Sequence, residues 1–273
     1  MNCNYCGGCD FDLLTQDTRF EKHDVVQCKK CGLVFLKKDA GKGEMERFYS
    51  VEYRQDPNLP MMSAAEHFND KVTIHDSETR IEFITGRVDL KGKKVLEIGS
   101  ASGSLLEKLK EQGAAEVAGI ELGKAFSDYA RGRGFQIYTS SIEQLDLKNH
   151  FDVIVTFHTL EHVYDPKSVF RAIYGALKPG GWFLGEVPNQ NDWRIQTFHD
   201  ELVKRLHYDP NHYYYFAPET LTNYLKASGF SGIKLETVER YNSMVQLRNI
   251  LSGNNRASNL SDTMKKYIFP PNA

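Results

Sequence analysis

The stretch that decides the fold is KKVLEIGSASG, at residues 93–103. Its first half is short and largely apolar, as a buried strand of a parallel sheet should be, and its second half is a loop that begins and ends on glycine. The residues that follow have helical spacing, which places Leu105, Leu106 and Leu109 on one face. A strand, a glycine loop and a helix in this order predict the first unit of a nucleotide-binding α/β fold, because glycine lets the backbone approach a ligand closely.

A second strand is predicted at residues 115–121, and it ends on Glu121. A carboxylate at the tip of such a strand can accept hydrogen bonds from both hydroxyls of a bound ribose. It follows the glycine loop by about twenty residues, which is the separation expected in nucleotide sites. Glu121 is therefore a candidate ribose-binding residue. The alternative is a solvated acid, since acids are common at strand ends.

Three further strands complete the predicted sheet, at residues 135–138, 150–157 and 182–187. The second of them is almost entirely apolar after its first residues, which is typical of a central parallel strand. A helix over residues 167–177 leads to the last strand through K-P-G-G at 178–181, where the proline stops the helix and the glycines turn the chain. A dinucleotide site is disfavoured, because the loop glycines are spaced G-x-x-x-G and not G-x-G-x-x-G.

The segment E-I-G-S-A-S-G at 97–103 resembles the first motif of class I S-adenosylmethionine (SAM)-dependent methyltransferases, which reads acidic-x-Gly-x-Gly-x-Gly. It departs from that motif at Ala101, a change that we expect to be tolerated if this residue keeps a negative φ. L-E-H-V at 160–163 and L-K-P-G-G at 177–181 also match the family at the expected spacing. The resemblance covers residues 95–238 and implies an α/β, Rossmann-like class I methyltransferase sheet with SAM as cofactor.

The resemblance also implies which residues bind the cofactor, in the glycine loop and at the tips of the following strands. In this family an acid often stands near position 141 and touches the adenine amino group, and here serine or backbone groups would take its place. The implied cofactor-binding residues are Glu97, Gly99, Ser100, Ala101, Ser102, Gly103, Glu121, Leu122, Ser141, Ile142, Phe157 and His158.

Four cysteines near the N-terminus form two C-x-x-C pairs, Cys3 with Cys6 and Cys28 with Cys31. Two such pairs supply the tetrahedral shell of four thiolates that structural zinc prefers. The fifth cysteine, Cys9, could replace Cys6 as a ligand, but both pairs are complete without it. Free structural thiols are the alternative to a metal site.

Gly7 and Gly32 follow the two pairs, where a metal knuckle needs residues without a clashing Cβ. About forty residues cannot bury a self-sufficient core. Metal binding would therefore supply much of this module's folding energy.

His158, Glu161 and His162 follow the fourth predicted strand. They therefore belong at the mouth of the site, because ligands of open α/β sheets bind beyond the carboxyl ends of the strands. A neutral histidine there can take a proton from an acceptor hydroxyl as the methyl group transfers. We favour His162, whose ring Glu161 can orient. The alternative is that His162 caps or packs the turn while His158 lines the methionine part of SAM.

A long insertion at residues 188–217 follows the fifth strand and is rich in aromatic residues and histidine. Loops of this length are usually lids or substrate pockets, so His207 and His212 are further candidates for the base. The segment H-Y-D-P-N-H-x-x-Y-F at 207–216 is similar to one in methyltransferases of natural-product and polysaccharide pathways. A purely structural role is nearly as well supported. Other members of the insertion are Trp193, Phe198 and His199.

Three parts of the chain are predicted from these patterns. Residues 1–40 form the zinc-binding module, residues 41–90 a linker and helical lead-in, and residues 91–273 the SAM-binding domain with its acceptor-binding insertion. Within the lead-in, residues 63–88 carry apolar side chains at helical spacing that we expect to pack on the domain. These side chains are Val72, Ile74, Ile81, Phe83 and Ile84.

The net charge is −2 and the pI about 6.5. No global field draws such a chain to nucleic acid or to an anionic membrane, so a small-molecule acceptor is favoured. No apolar run approaches the ~18 residues of a membrane span, and no signal-peptide pattern follows Met1, so a cytoplasmic protein is expected. In that reducing compartment the cysteines are poor candidates for disulfides.

A cysteine module ahead of a SAM domain is similar to sugar methyltransferases of deoxysugar and capsule pathways and to zinc-containing ribosomal RNA methyltransferases. We therefore expect an O-methyltransferase acting on a sugar, nucleotide-linked or phosphoryl-type intermediate of surface polysaccharide biosynthesis. RNA methylation is one alternative, disfavoured by the acidic pI. Sugar C-methylation is another, and those enzymes carry a further large C-terminal domain. A non-catalytic SAM-binding protein is a third, against which the glycine loop and Glu121 speak.

Overall fold

Two β-sheets and the helices around them make up the part of the chain that the computed structural model describes, namely residues 1–19, 21–38, 41, 43, 47–48, 62–192, 207–239 and 263–269. The strands are β1 (Phe11–Asp17), β2 (Lys22–Cys28), β3 (Val34–Leu36), β4 (Lys94–Ile98), β5 (Glu116–Ile120), β6 (Gln136–Tyr138), β7 (Phe151–Phe157), β8 (Leu177–Pro188), β9 (Tyr214–Tyr215), β10 (Lys234–Glu239) and β11 (Thr263–Phe269). The helices are α1 (Ala64–Asn69), α2 (Lys71–Thr85), α3 (Ser104–Glu111), α4 (Lys124–Gly132), α5 (Pro166–Ala176) and α6 (Pro218–Ala227).

The larger sheet has the strand order β6-β5-β4-β7-β8-β11-β10. The strands from β6 to β8 are parallel, and β11 runs antiparallel to both of its neighbours. The chain moves outward from β4 to β6 and then crosses back to β7, so the strand order reverses between β4 and β7. Ligands of open α/β sheets bind beside such a reversal. The predicted α/β, Rossmann-like fold is confirmed.

Both faces of the parallel sheet are covered, because successive side chains of a strand point to opposite faces. On one face Leu96 and Ile154 join an apolar cluster with Phe170 of α5. On the other face Val95 and Val153 join a second cluster with the leucines of α3. Strands buried on both sides read as continuous apolar runs, which is why they were recognisable in the sequence. Among the described residues, no helix is long and apolar enough to cross a membrane.

The lead-in is two helices and not one. Asp70 is extended between α1 and α2, and its side chain accepts hydrogen bonds from the backbone of Val72 and Thr73, which restarts the helix. Ile81, Phe83 and Ile84 are buried as predicted, but the prediction was wrong for Val72 and Ile74, which are 57% and 37% exposed. Val72 precedes Ile81 by nine residues, or two and a half turns, so the two lie on opposite sides of the helix.

The K-P-G-G segment at residues 178–181 lies inside β8, where it interrupts the pairing of β8 with β7. Phe151 pairs with Leu177 and Val153 with Trp182, so the chain between the two paired positions on β8 bulges out of register. Helix α5 has therefore ended by Ala176, before the proline, and strand β8 begins earlier than the predicted residue 182. The bulge explains why a segment that reads as a turn is part of a strand.

The smaller sheet joins the N-terminal module to the insertion. Its order is β1-β2-β3-β9, and Phe35 of β3 is paired with Tyr214 of β9. Cys28 and Phe35 also belong to the same apolar cluster as Leu96 of the large sheet. Residues 1–40 therefore share both a sheet and a core with the remainder of the chain. The predicted division at residues 40 and 90 stays a prediction.

Some of the sequence-based expectations fall outside the described residues. These include Trp193, Phe198 and His199 of the insertion. The last described strand, β11, completes the sheet between β8 and β10.

Candidate functional site

A cleft of about 340 Å3 opens at the carboxyl ends of β4, β5 and β7. Eight of the twelve implied cofactor-binding residues line it, and the other four are not among its lining residues. The eight are Gly99, Ala101, Glu121, Leu122, Ser141, Ile142, Phe157 and His158. Of the four, Glu97, Ser100 and Ser102 are buried polar residues, and Gly103 is the N-cap of helix α3. Glu143 also lines the cleft, two residues after Ser141.

The loop between β4 and α3 uses left-handed backbone at three positions. Its φ angles are +80° at Gly99, +45° at Ala101 and +87° at Gly103. The expectation that Ala101 keeps a negative φ is therefore wrong. Its N–H donates to Glu121 Oε2 at 2.9 Å, which draws this peptide toward the tip of β5. A Cβ at Gly99 would collide with the side chain of Thr159, so only glycine fits there.

Glu121 follows β5 and forms part of the cleft wall. Its two carboxylate oxygens accept backbone hydrogen bonds, Oε2 from Ala101 at 2.9 Å and Oε1 from Gly123 at 2.8 Å. Each carboxylate oxygen has two lone pairs, so it can accept a further bond from a ligand hydroxyl. The backbone thus fixes the orientation of this carboxylate at the position where a ribose was expected.

Arg80 is a cleft residue that sequence analysis missed. It extends from α2, and its guanidinium lies 4.9 Å from the centre of the Phe157 ring and 4.0 Å from Asp76 Oδ2. It brings a positive charge to this wall, which suits it to a carboxylate ligand. The sequence did carry a signal, because Arg80 stands one helical turn before the buried Ile84 and so shares the inward face of the helix.

Glu97 is buried behind this wall. Among the described residues, its Oε2 has no hydrogen-bond partner. Burial, with a smaller contribution from the charge of Glu121, raises the pKa of Glu97 to about 8 against the opposing effect of Arg80. The carboxyl group is therefore mainly protonated at neutral pH, which is how a buried acid without a close cation is accommodated.

His158 is held between two buried carboxylates. Its Nδ1 lies 3.3 Å from Glu161 Oε1, and its Nε2 lies 3.8 Å from Glu186 Oε1. The backbone φ of His158 is +54°, and its backbone N–H donates to the backbone carbonyl of Glu186. Burial favours the neutral ring, but Glu161 and Glu186 outweigh it and raise the pKa of His158 to about 9. A ring that is already protonated cannot accept a proton, so this geometry disfavours His158 as the base.

Glu161, His162 and His212 form a compact group beside the cleft. One potential ligand atom from each residue lies within 4.8 Å of the others, and the two imidazole centroids are 4.8 Å apart. His162 lines the cleft, and its Nδ1 is 2.8 Å from the carbonyl of Asn211. Nδ1 therefore carries the proton in the neutral ring, and Nε2 is the accepting nitrogen.

The ionisation of this group follows from its burial. Burial and, to a lesser extent, the neighbouring His162 together lower the pKa of His212 to about 4. Burial would raise the pKa of Glu161, but the hydrogen bond from His158 and the charge interaction with His162 hold it at about 2. At neutral pH the group thus combines a neutral His212 with an ionised Glu161.

His207 lies apart from this group. Its side chain is buried, with Nε2 3.4 Å from Gln190 Oε1, and its ring packs against Tyr208 and Tyr215. Within the described part of the chain it does not line the cleft. Its surroundings are those of a packed core histidine.

The four paired cysteines converge as the spacing predicted. Cys3 Sγ lies 3.5 Å from Cys31 Sγ, Cys6 Sγ lies 3.5 Å from Cys28 Sγ, and one sulfur from each residue lies within 4.8 Å of the others. Cys9 is exposed and is not part of the cluster. Four thiols at these distances can enclose one tetrahedral zinc ion.

The glycines of the cluster act differently from the expectation. Gly7 and Gly32 have φ angles of +69° and +76°, so they are needed for their backbone conformation. A Cβ at either position would meet no close atom, so the expected Cβ clash was wrong for both. It is Gly8 that is packed, because a Cβ there would lie 3.3 Å from both Cys6 Sγ and Cys28 Sγ.

Asn4, which lies within the first cysteine pair, hydrogen-bonds to residues of two helices beside the large sheet. Asn4 donates from Nδ2 to Asp165 Oδ1 at 3.0 Å and accepts from the hydroxyl of Tyr224 at 2.8 Å. Asp165 caps helix α5 through the backbone N–H groups of Lys167 and Ser168. Asn4 thus joins the cysteine cluster to helices α5 and α6.

Comparison with known proteins places these features in a family. A family model described as "Methyltransferase domain" matches residues 53–235. A ubiquinone biosynthesis O-methyltransferase of Pseudomonas entomophila is 37% identical over 127 residues, which cover 43% of this chain and 54% of that protein. The protein of the same name from Nitrosospira multiformis is 33% identical over 158 residues, 54% of this chain and 62% of that protein. The matches therefore span little more than half the length of these relatives.

Solved structures share the fold. A SAM-dependent methyltransferase of Archaeoglobus fulgidus superposes with a TM-score of 0.55 at 21% identity, over 75% of this chain and 96% of that one. Phosphoethanolamine N-methyltransferase 2 of Haemonchus contortus, solved with SAM bound, gives a TM-score of 0.59 at 15% identity, over 88% of this chain and 62% of that one.

Proposed function

The chain belongs to the methyltransferase-domain family matched over residues 53–235, and from that premise we propose that it transfers the methyl group of SAM to an oxygen of a small-molecule acceptor. The observation that carries the proposal is the cleft, where the glycine loop and Glu121 meet at the strand-order reversal. The O-methyltransferase names of the sequence relatives support oxygen as the receiving atom.

SAM binding is assigned to the cleft walls. Glu121 would accept hydrogen bonds from the ribose hydroxyls, because its oxygens are already oriented by two backbone N–H groups. Arg80 would bind the methionine carboxylate through its guanidinium. Leu122 and Ile142 offer apolar contact for the adenine, and Ser141 or Glu143 a hydrogen bond to its amino group.

The chemistry asks the protein mainly for positioning. The acceptor oxygen attacks the methyl carbon, the carbon–sulfur bond breaks with its electron pair going to sulfur, and S-adenosylhomocysteine and a methylated acceptor result. Because the sulfonium is already activated, holding the two reactants in line can supply up to ~7–11 kcal/mol of the barrier reduction. An alcohol acceptor must also lose its proton. A side chain that accepts this proton would increase the rate by roughly 10²–10⁴-fold.

The acceptor is assigned to the end of the cleft beside His162 and Tyr164. The group of Glu161, His162 and His212 adjoins this end. We assign the activation of the acceptor oxygen to this group, and within it we favour His162 for that role. The insertion at residues 188–217 contributes His212 and β9 and is proposed as the acceptor-binding part. A sugar, nucleotide-linked or phosphoryl-type acceptor of polysaccharide biosynthesis stays a prediction from sequence resemblance.

Structural zinc is proposed at Cys3, Cys6, Cys28 and Cys31. Four cysteine ligands leave no open coordination position, so such a zinc has no catalytic role. Its effect would be to hold residues 1–40, the proposed zinc-binding module, against helices α5 and α6 through Asn4.

The cofactor assignment is tested by calorimetry with SAM and with NAD on wild type and on Glu121→Ala. Loss of a hydrogen bond to a charged group costs ~1.5–3 kcal/mol, so we expect Glu121→Ala to weaken SAM binding by roughly 10- to 100-fold. NAD should not bind to either protein. Unchanged SAM affinity in the variant would mean that Glu121 is only a strand-end acid.

The transfer itself is tested with isotope-labelled SAM and a panel of hydroxylated small molecules, followed by mass spectrometry of the products. Label on oxygen supports the proposal, whereas label on carbon or nitrogen contradicts it. RNA is the matched alternative acceptor. Salt-sensitive retention on RNA together with labelled RNA would favour the zinc-containing RNA methyltransferase reading instead.

A further inference from the structure

We propose that Glu161, His162 and His212 form a catalytic metal site, separate from the cysteine cluster, that holds one divalent cation of the zinc class and ionises the acceptor oxygen on it. The inference rests on the proposed transfer to oxygen and names how the acceptor is activated. Its starting point is that a potential ligand atom from each of the three residues lies within 4.8 Å of the other two.

Two of the three side chains have an unsatisfied polar atom. Glu161 is fully buried, and neither its Oε2 nor Nδ1 of His212 has a hydrogen-bond partner among the described residues. Leaving such buried atoms unpaired is unfavourable, and more so for a charged group. Coordination of a cation would satisfy both at once.

The surroundings of the group are those of oriented metal ligands. The Nδ1–H of His162 donates to the carbonyl of Asn211 at 2.8 Å, which points Nε2 away from that bond. Histidines that bind metals characteristically donate their second ring N–H to a carbonyl or carboxylate in this way. The other oxygen of Glu161 is held by His158 at 3.3 Å.

The ligand set selects the cation. Two imidazoles and one carboxylate suit zinc, cobalt, manganese or iron, whereas magnesium and calcium prefer oxygen ligands alone. Three protein ligands leave a coordination position open, which distinguishes a catalytic zinc site from a closed structural one. Zinc–ligand bonds of ~2.0–2.2 Å place the ligand atoms closer together than 4.8 Å, so binding must draw the three side chains inward.

The open position would face the acceptor. His162 itself lines the cleft, next to Thr159 and Tyr164. His212 arrives from the proposed acceptor-binding insertion, and Tyr213 N–H donates to the carbonyl of Glu161 at 2.8 Å. A cation held by all three residues would therefore join the insertion to the turn after β7 at the point where the acceptor enters.

The chemical step balances without an additional base residue. The acceptor hydroxyl binds the cation and releases its proton to solvent water, since a zinc-class cation lowers the pKa of a bound water to about 7. The resulting alkoxide uses a lone pair to form the bond to the SAM methyl carbon. The carbon–sulfur bond breaks, sulfur keeps the electron pair, and the neutral ether leaves the cation.

The test is a cobalt(II) titration of the full-length protein with zinc in its cysteine cluster, in the presence of S-adenosylhomocysteine. Cobalt on nitrogen and oxygen ligands gives weak visible bands, whereas cobalt on thiolates adds intense near-ultraviolet charge-transfer bands. We expect one cobalt per chain with the visible bands alone. Absence of this binding in wild type overturns the proposal, and so does a spectrum dominated by the thiolate bands.

Variants identify the ligands. Glu161→Gln and His212→Gln should each weaken cobalt binding at least 10-fold. The matched control is His150→Gln, because His150 also contacts a carboxylate, Glu116, but next to the opposite end of β7. Affinity for S-adenosylhomocysteine reports whether each variant is folded. A folded His212→Gln protein that binds cobalt like wild type contradicts the assignment.

Measuring methyl transfer with and without the exchangeable cation distinguishes a failure of this inference from a failure of the proposed function. We expect transfer to stop when a chelator removes the exchangeable cation and to return when zinc or cobalt is added, with SAM affinity unchanged throughout. Transfer to oxygen that persists without the cation would leave the proposed function intact and refute the metal site. Failure of wild type to bind SAM would refute the proposed function itself.

Discussion

Ala101 carries a strain that glycine would not. Its φ of +45° lies in the left-handed region, which costs an alanine ~1–2 kcal/mol. Ala101→Gly should remove that strain but lose ~0.4–1 kcal/mol through the freer unfolded chain, so we expect a small net stabilisation. Ala101→Val, which is β-branched, should be clearly destabilised. Thermal unfolding of both variants tests this, and a glycine variant markedly less stable than wild type would contradict it.

Glu97 makes the stability of the protein depend on pH. Its pKa rises from 4.5 to about 8 on folding, so between these values the unfolded chain loses the proton that the folded protein keeps. The wild-type protein therefore loses stability from this group as pH rises through that window. Glu97→Gln should lack this loss, although Arg80 and Glu121 still flank the site.

The measurement is the melting temperature of wild type and Glu97→Gln at pH 6 and pH 8.5 without ligand. We expect the gap between the two proteins to move in favour of the variant at the higher pH. Equal changes in both proteins would show that Glu97 does not titrate in this window.

At the scale of elements, the strands that border the cleft and the helical character of the lead-in were readable from the sequence, but the break in that helix was not. β4 and β7 are buried on both sides, so their apolar runs are unambiguous. The break at Asp70 depends on one side chain capping α2, a local contact that periodicity does not record. For Arg80 the periodicity indicates the inward face of the helix, but only the packing shows that this face borders the cleft.

The sequence named the histidines and the glutamate that lie together beside the cleft, but it did not predict which of them are charged. His158, Glu161, His162 and His212 were named from their positions in the chain, and the structure brings them together. Which of them is charged follows from burial and from the carboxylate of Glu186, which comes from another strand. Such distant contacts lie outside what spacing can specify.

The cysteine cluster is the element whose role is most directly testable. Cys28 is buried with its sulfur 3.5 Å from Cys6 Sγ, so Cys28→Ser should reduce the zinc content well below one per chain and lower the melting temperature. Cys9→Ser is the matched control, since Cys9 is exposed and outside the cluster. Metal analysis decides the outcome. Full zinc and normal stability in the Cys28 variant would exclude it as a ligand.

At the scale of the whole molecule, residues 1–40 should not be removable. Leu33 and Phe35 are among the side chains of this segment that are buried in the completed structure. Each such apolar side chain contributes ~1.5–3 kcal/mol, and a few of them approach the ~5–15 kcal/mol of a whole domain. A fragment of residues 41–273 should therefore be insoluble or bind SAM poorly. Calorimetry on that fragment is the check, and wild-type SAM affinity would show an independent domain.

The pairing of β3 with β9 also has a consequence for the order of synthesis. Phe35 leaves the ribosome long before its partner Tyr214, and most of the large sheet is translated in between. At ~5–20 residues per second, that edge stays open for roughly ten seconds to half a minute. An open apolar edge is a template for aggregation. The proposed zinc could bind as soon as Cys31 emerges, so we expect zinc-starved translation to yield more aggregated nascent chains, measurable by sedimentation of stalled ribosome complexes. The metal would then act on the ribosome as an early folding aid, well before the chain is complete.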